Sequence, residues 1–313
     1  MTDPPPACDT RGVLVEEVVR RNRRRIAVLT VVAVVNRAVL FGLILAAIAG
    51  KAAYDSELHL LVFVGGCLAV GGVLALWHVA KDLRSMDRGT LDGVGAVRIL
   101  PGELPVVENL LQELAIAVGL PRVRAALAAD DAPNALAVGR RPEATTIVVT
   151  SGLVRKLTRD ELEAVLAAEL WAVRRWDTAM QTVTMAYAGE AIALHEGAVS
   201  GSHNPATWPW IVISFPTMVV AEIVRHRALR DADFGADAMA VATTRHPEAL
   251  RRALVKLRDD PGVVETLDMT TAPLWFEPIP HGGDHDPDAY AAVAMTPTLD
   301  ERLAHLDELL ATP

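Results

Sequence analysis

Residues 26–48, IAVLTVVAVVNRAVLFGLILAAI, are apolar apart from the pair Asn36-Arg37. A helix of that length crosses the roughly 30 Å hydrocarbon core of a bilayer. A second apolar run, residues 58–79, follows after a short loop. Two such runs in succession predict a transmembrane helical hairpin. A cleaved signal peptide is the competing reading, but the first run is too long for its apolar region and a second run follows at once. Arg20, Arg21, Arg23, Arg24 and Arg25 precede the hairpin, and Lys81, Arg84 and Arg88 follow it. Cytoplasmic flanks carry such an excess of positive charge, so both ends are expected in the cytoplasm and residues 51–57 outside.

The predicted layout is a cytoplasmic basic arm (1–25), the hairpin (26–80), a polar linker (81–100) and a domain over 101–313. A second, weaker hydrophobic hairpin (178–224) interrupts that domain. It has no Lys or Arg in its loop 196–207, and arginines flank it. The expected location is therefore the cell membrane, multi-pass, with the soluble domain on the cytoplasmic side. Arg37 within the first span costs about 2.5–3.5 kcal/mol unless it faces protein or water. Glu190 and Glu222, inside the second hairpin, are the expected partners of this intramembrane charge. A transporter subunit using Arg37 and Glu190 has only those charges behind it.

Composition narrows the function. With two cysteines, Cys8 and Cys67, no disulfide framework or cysteine zinc ribbon is available. A net charge of −9 and 4% aromatic residues exclude a nucleic-acid partner. Four lysines among thirty basic residues, with abundant Ala and Val, suggest a GC-rich, bacterial coding sequence.

Within the soluble part, apolar residues at helical spacing predict a helix over 103–118. Short extended segments are expected at 123–128, 135–138 and 145–150, separated by Asp/Pro/Asn and Arg/Pro turns. Thr158 and Glu161 form a capping box that opens the next helix. Further helices are expected from the segment beginning at Asp231 through Ala240, over 247–258 and from near Thr298, with a Pro/Gly/His/Asp loop over 273–288. The fold class is α+β, mainly α, with a small β-sheet and transmembrane helices.

The helix opened by Thr158 contains AVLAAELWAVRRWD, residues 164–177. Leu162, Val165, Leu166, Val173 and Trp176 form its inward stripe, and Glu169 falls on that stripe. A carboxylate there is costly to bury alone. A zinc peptidase helix of the His-Glu-x-x-His kind carries two imidazoles at i and i+4 on one face, with the Glu deprotonating metal-bound water. Here Ala168-Glu169-Leu170-Trp171-Ala172 keeps only the Glu.

Around this helix the segments 131–139 (DAPNALAVG), 147–153 (IVVTSGL) and 157–167 (LTRDELEAVLA) resemble the M48 peptidase family of HtpX-like and Ste24-like membrane zinc proteases. Asp233-Phe234-Gly235-Ala236-Asp237 resembles the family's E-[FY]-x-A-D. Thr296-Pro297 through Leu306 resembles its H-P-P-T-x-x-R-I-x-x-L. The resemblance implies a zincin-like, gluzincin fold. It places Glu169 at the general base, Asp233 at the third metal ligand, and Ala168 and Ala172 at the two imidazoles. Asp177 and Asp237 match acids with structural roles, expected to bind arginines such as Arg174 or Arg230.

No metal is therefore expected, and Glu169 has no activated water to deprotonate. The implied function is a pseudoprotease that binds or scaffolds membrane proteins or unfolded peptide segments at the bilayer. Thr145, Thr146, Ile147, Val148, Val149 and Thr150 are the expected peptide-binding edge. Two readings stand for Trp171 and Trp176: filling the vacated metal pocket, or serving as ordinary core or interface aromatics. The alternative function is an active zinc metalloendopeptidase with Glu169, Asp233 and a late-loop histidine as ligands. His281 and His285, with Asp284, Asp286 and Asp288, form the densest cluster of possible ligands, in a setting that predicts a solvated loop. His195-Glu196 has no histidine at i+4 and is expected at the membrane interface.

Overall fold

The structure, a computed structural model, describes residues 10–49, 57–184, 219, 232–267, 271–278 and 296–311. Two compact units share the chain: one takes in residues 26–88 and 183–225, the other 1–25, 89–182 and 226–313.

In the first unit, α1 (Thr10–Ala49) and α2 (Glu57–Gly93) are long helices. Val15–Gly42 and Val62–Gly93 are long and apolar enough to cross a membrane, yet only 22% of each span's most apolar stretch is buried. Val31, Val35, Val62, Val73 and Leu76 face outward. A helix in the core of a soluble protein would cover such side chains, whereas a lipid-facing helix leaves them open.

Small residues let the two helices meet backbone to backbone. A Cβ on Gly71 would lie 2.6 Å from both the Ala38 carbonyl oxygen and the Gly42 nitrogen, whereas one on neighbouring Gly72 would meet nothing within 4 Å. Gly71→Leu is therefore expected to destabilise the hairpin by about 1–3 kcal/mol through forced separation. Thermal melting in detergent should show the loss, with Gly72→Leu melting as wild type. Equal melting of the two variants would refute the close crossing.

Arg37 does find an acid, but on the neighbouring helix. Its Nη2 lies 3.2 Å from Asp82 Oδ2, and His78 Nδ1 lies 3.1 Å from the same oxygen. Glu190 and Glu222 lie outside the described residues. The expected linker 81–100 is helical through Gly93, which is what keeps Asp82 within reach. Leu83, Met86, Thr90 and Leu91 recur at helical spacing and are half-buried, so the polar composition hid an amphipathic continuation. The basic arm is likewise helical from Thr10.

The second unit holds a four-stranded sheet ordered β1-β2-β4-β3, with β1 (Ala96–Arg98), β2 (Arg124–Ala128), β3 (Ala135–Val138) and β4 (Thr146–Thr150). β2 and β4 are parallel, and the outer pairings are antiparallel. Three strands fall where the sequence placed them; β1 was hidden inside the supposed linker. One expectation is overturned: β4 is interior, hydrogen-bonded to β2 on one side and β3 on the other, so residues 145–150 offer no edge. All five β4 residues are buried, the signature of a strand covered on both faces.

The same unit contains the helices α3 (Pro105–Val118), α4 (Ser151–Lys156), α5 (Arg159–Arg174), α6 (Ala232–Thr244), α7 (Pro247–Asp259) and α8 (Leu299–Ala311). The Thr158–Glu161 capping box closes reciprocally at the start of α5. Buried Glu161 is then held by Lys256 at 2.6 Å. Leu162, Val165, Leu166 and Leu170 of α5 join Ile147 and Val149 of β4 and Leu250 and Leu254 of α7 in the main core. This packing fixes the rotation of α5, and with it the direction of Glu169.

Candidate functional site

The second half of α5 contributes Ala168, Glu169 and Ala172 to a cavity of about 30 Å³. Asp233 and Ala236 come from α6, Arg302 from α8, and Gln181, Leu274, Trp275 and Phe276 close the remaining wall. That volume holds about one water molecule. The sequence-predicted positions Ala168, Glu169, Ala172 and Asp233 are thus brought together. Asp237 stands beside them, both oxygens 2.8 Å from Arg302, one from Nε and one from Nη2. Arg302 also donates to the Phe276 carbonyl at 2.8 Å and stacks 4.0 Å from that ring's centre.

Asp177 is held elsewhere, at the end of α5. It accepts from Asn22 Nδ2 at 2.6 Å and lies 3.2 Å from Arg175 Nε. Arg175 in turn donates to the Ala232 carbonyl and passes over Gly235, where a side chain would collide with the guanidinium. The expected partners of the two acids were neighbouring arginines; the observed ones are Arg175 and Arg302, and Arg230 lies outside the described residues. Trp171 and Trp176 do not line the cavity. Trp171 Nε1 donates to Thr243 at 2.8 Å, and Trp176 lies under Arg23. His195, His281 and His285 lie outside the described residues.

A model of Peptidase family M48 matches residues 103–310. The chain belongs to peptidase family M48. It is 32% identical over 235 residues to a protein named Protease HtpX homolog from Moorella thermoacetica, covering 71% of this chain and 78% of that one. The HtpX homologue of Listeria monocytogenes is 26% identical over 257 residues, covering 75% and 77%. That of Dictyoglomus turgidum is 30% identical over 184 residues, covering 56% of this chain and 60% of its own length. Among solved structures, S. mikatae Ste24p matches with a TM-score of 0.43 at 20% identity, over 74% of this chain and 58% of that one.

The donor set of this M48 chain does not fit a zinc ion. Zinc takes four close ligands, usually imidazole, thiolate or carboxylate. Two of the positions carry methyl groups, and Asp237 is spent on Arg302. Among the described residues, no three His, Cys, Asp or Glu side chains gather as a metal-binding group. A guanidinium lines the same cavity, so a dication would also meet like charge.

Burial pushes the Glu169 carboxyl up to about 8, helped by Asp233 and Asp237 and opposed by Arg302. Burial also raises half-buried Asp233, to about 6, against the pull of Arg302. Asp177 rises to about 7, again chiefly through burial and against Arg175. For Arg302, burial disfavours the charge, but the Asp237 carboxylate more than offsets it and the group stays cationic. At neutral pH Glu169 is therefore mostly a neutral acid, able to donate a hydrogen bond.

The folded chain keeps a Glu169 proton that the unfolded chain releases from about 4.5 upward, so this group's contribution to stability falls as pH rises from about 4.5 to about 8. Glu169→Gln removes that liability. It should stabilise the protein at pH 8 by roughly 2–4 kcal/mol and change little at pH 4. Melting curves at the two pH values decide the matter: a gain that is no larger at pH 8 contradicts the neutral-acid assignment.

Proposed function

We propose that this M48 chain is a membrane-anchored, non-hydrolysing member of its family. It binds or scaffolds membrane proteins or unfolded peptide segments on the cytoplasmic face. One observation carries the reading: methyl groups stand at Ala168 and Ala172, on a cavity of about 30 Å³ that Arg302 also lines. Peptide hydrolysis in a zincin requires a polarised carbonyl and an activated water, and both depend on the metal. Neither the neutral Glu169 acid nor the Arg302–Asp237 pair replaces those two functions. The retained fold then serves recognition.

The arginines of α1 ahead of its apolar stretch (Arg20, Arg21, Arg23, Arg24 and Arg25) and the Lys81, Arg84 and Arg88 cluster on α2 support the cytoplasmic orientation. The experiment is elemental analysis of zinc on tag-free, detergent-purified protein, with digestion of unfolded casein in parallel. Zinc well below one equivalent and intact casein are the expected results. One tightly held zinc together with chelator-sensitive cleavage, lost in Asp233→Ala, would establish the active endopeptidase instead.

A further inference from the structure

With β4 interior, the sheet edge beside the Glu169 cavity is β3, yet none of its four residues is exposed. The chain itself covers them. Trp275 bridges Leu136 in antiparallel fashion, and Phe276 N–H donates to the Ala135 carbonyl at 2.7 Å. Asn134 then grips the main chain of Glu277 in both directions: its Nδ2 donates to the Glu277 carbonyl at 2.7 Å, and its Oδ1 accepts from the Glu277 N–H at 3.0 Å. These bonds read backbone, so they would serve any extended segment whatever its side chains.

We propose that residues 274–277 are a resident occupant of a peptide-accepting edge on β3, and that an extended apolar segment of a partner binds there by displacing them. This rests on the reading of the site as one that binds without cutting, and it adds a gate to it. Two features define the partner. Its residue opposite Ala135 must supply an N–H, which excludes proline. Its side chain at the Trp275 position is best aliphatic or Phe, because Trp275 Nε1 is buried with no hydrogen-bond partner among the described residues. The resident segment is thus an imperfect fit, and a partner lacking that N–H loses nothing there.

The probe is a fluorescein-labelled peptide copying residues 271–278, TAPLWFEP, titrated by anisotropy against the full-length protein in detergent. A closed edge lowers apparent affinity by the fraction that is open. Phe276→Pro removes the N–H bonded to Ala135 and should bind the probe at least about tenfold more tightly than wild type. Adding Asn134→Ala should abolish that gain. Equal binding by wild type and a folded Phe276→Pro protein overturns the proposal.

Hydrogen exchange on the wild type decides independently, should Phe276→Pro fail to fold. The Phe276 and Glu277 amides are expected to exchange through an opening that leaves β4 protected. Exchange only together with β4 would make the segment a permanent strand and overturn the gate. Cleavage of the probe by wild type would instead defeat the non-hydrolysing reading, which the exchange result does not touch.

Discussion

Replacing Arg302 by leucine is expected to unfold or severely destabilise the second unit, by about 3–5 kcal/mol. The size follows from what the guanidinium leaves behind. Asp237 is 2% exposed and takes two hydrogen bonds from Arg302, so the substitution strands a buried carboxylate. The Phe276 carbonyl loses its donor as well, and Glu169 and Asp233 lose the cation that opposes their raised pKa values. A double variant, Arg302→Leu/Asp237→Leu, should recover most of the stability, since a buried ion pair exchanged for apolar packing is often near neutral. Circular-dichroism melts of the three proteins in detergent test this. A single variant melting as wild type would mean that Arg302 is not the clamp of the site.

That pair marks a limit of the sequence. Arg302 lies in the segment that resembled the family's terminal motif, but a lone arginine on an amphipathic helix reads equally as surface charge. Asp237 gave the hint, through the resemblance that implied an arginine partner for it without saying which. The Thr158–Glu161 box and the three strands were legible because caps, turns and β-branched runs are local signals. The order of strands was not, because an unbroken run such as Ile147-Val148-Val149 fits a strand covered on both faces but does not say which strands flank it. LWFEP, residues 274–278, was absorbed into a Pro/Gly-rich loop, although its three large apolar residues resist a solvated position. Asp82 was not considered as a partner of Arg37 because a polar stretch was taken as the end of α2. Long-range pairings of this kind leave almost no local trace in a chain. What could be read at once was the chemistry of single positions: two alanines where a metal site needs imidazoles.

Those alanines make a reconstruction decisive. The variant Ala168→His/Ala172→His/Asp233→Glu should take up about one zinc per chain, while wild type stays below that. Positions 168 and 172 are one helical turn apart on α5 and both line the cavity, so two imidazoles there project onto a common point. Asp233→Glu supplies the extra methylene that lets α6 reach it. A structural zinc contributes an apparent 10–16 kcal/mol at pH 7, against about 1–3 kcal/mol of overpacking in a cavity of only about 30 Å³. Binding therefore prevails, and the walls, chiefly Trp275 and Phe276, must yield. Two measurements read the outcome: zinc per chain by elemental analysis, and melting with and without chelator. The variant should melt higher with zinc than without, and lose the metal below about pH 6 as the imidazoles protonate. A folded variant that stays empty would show that the missing imidazoles are not the only barrier, and would move the cause to Arg302, whose charge faces the same cavity.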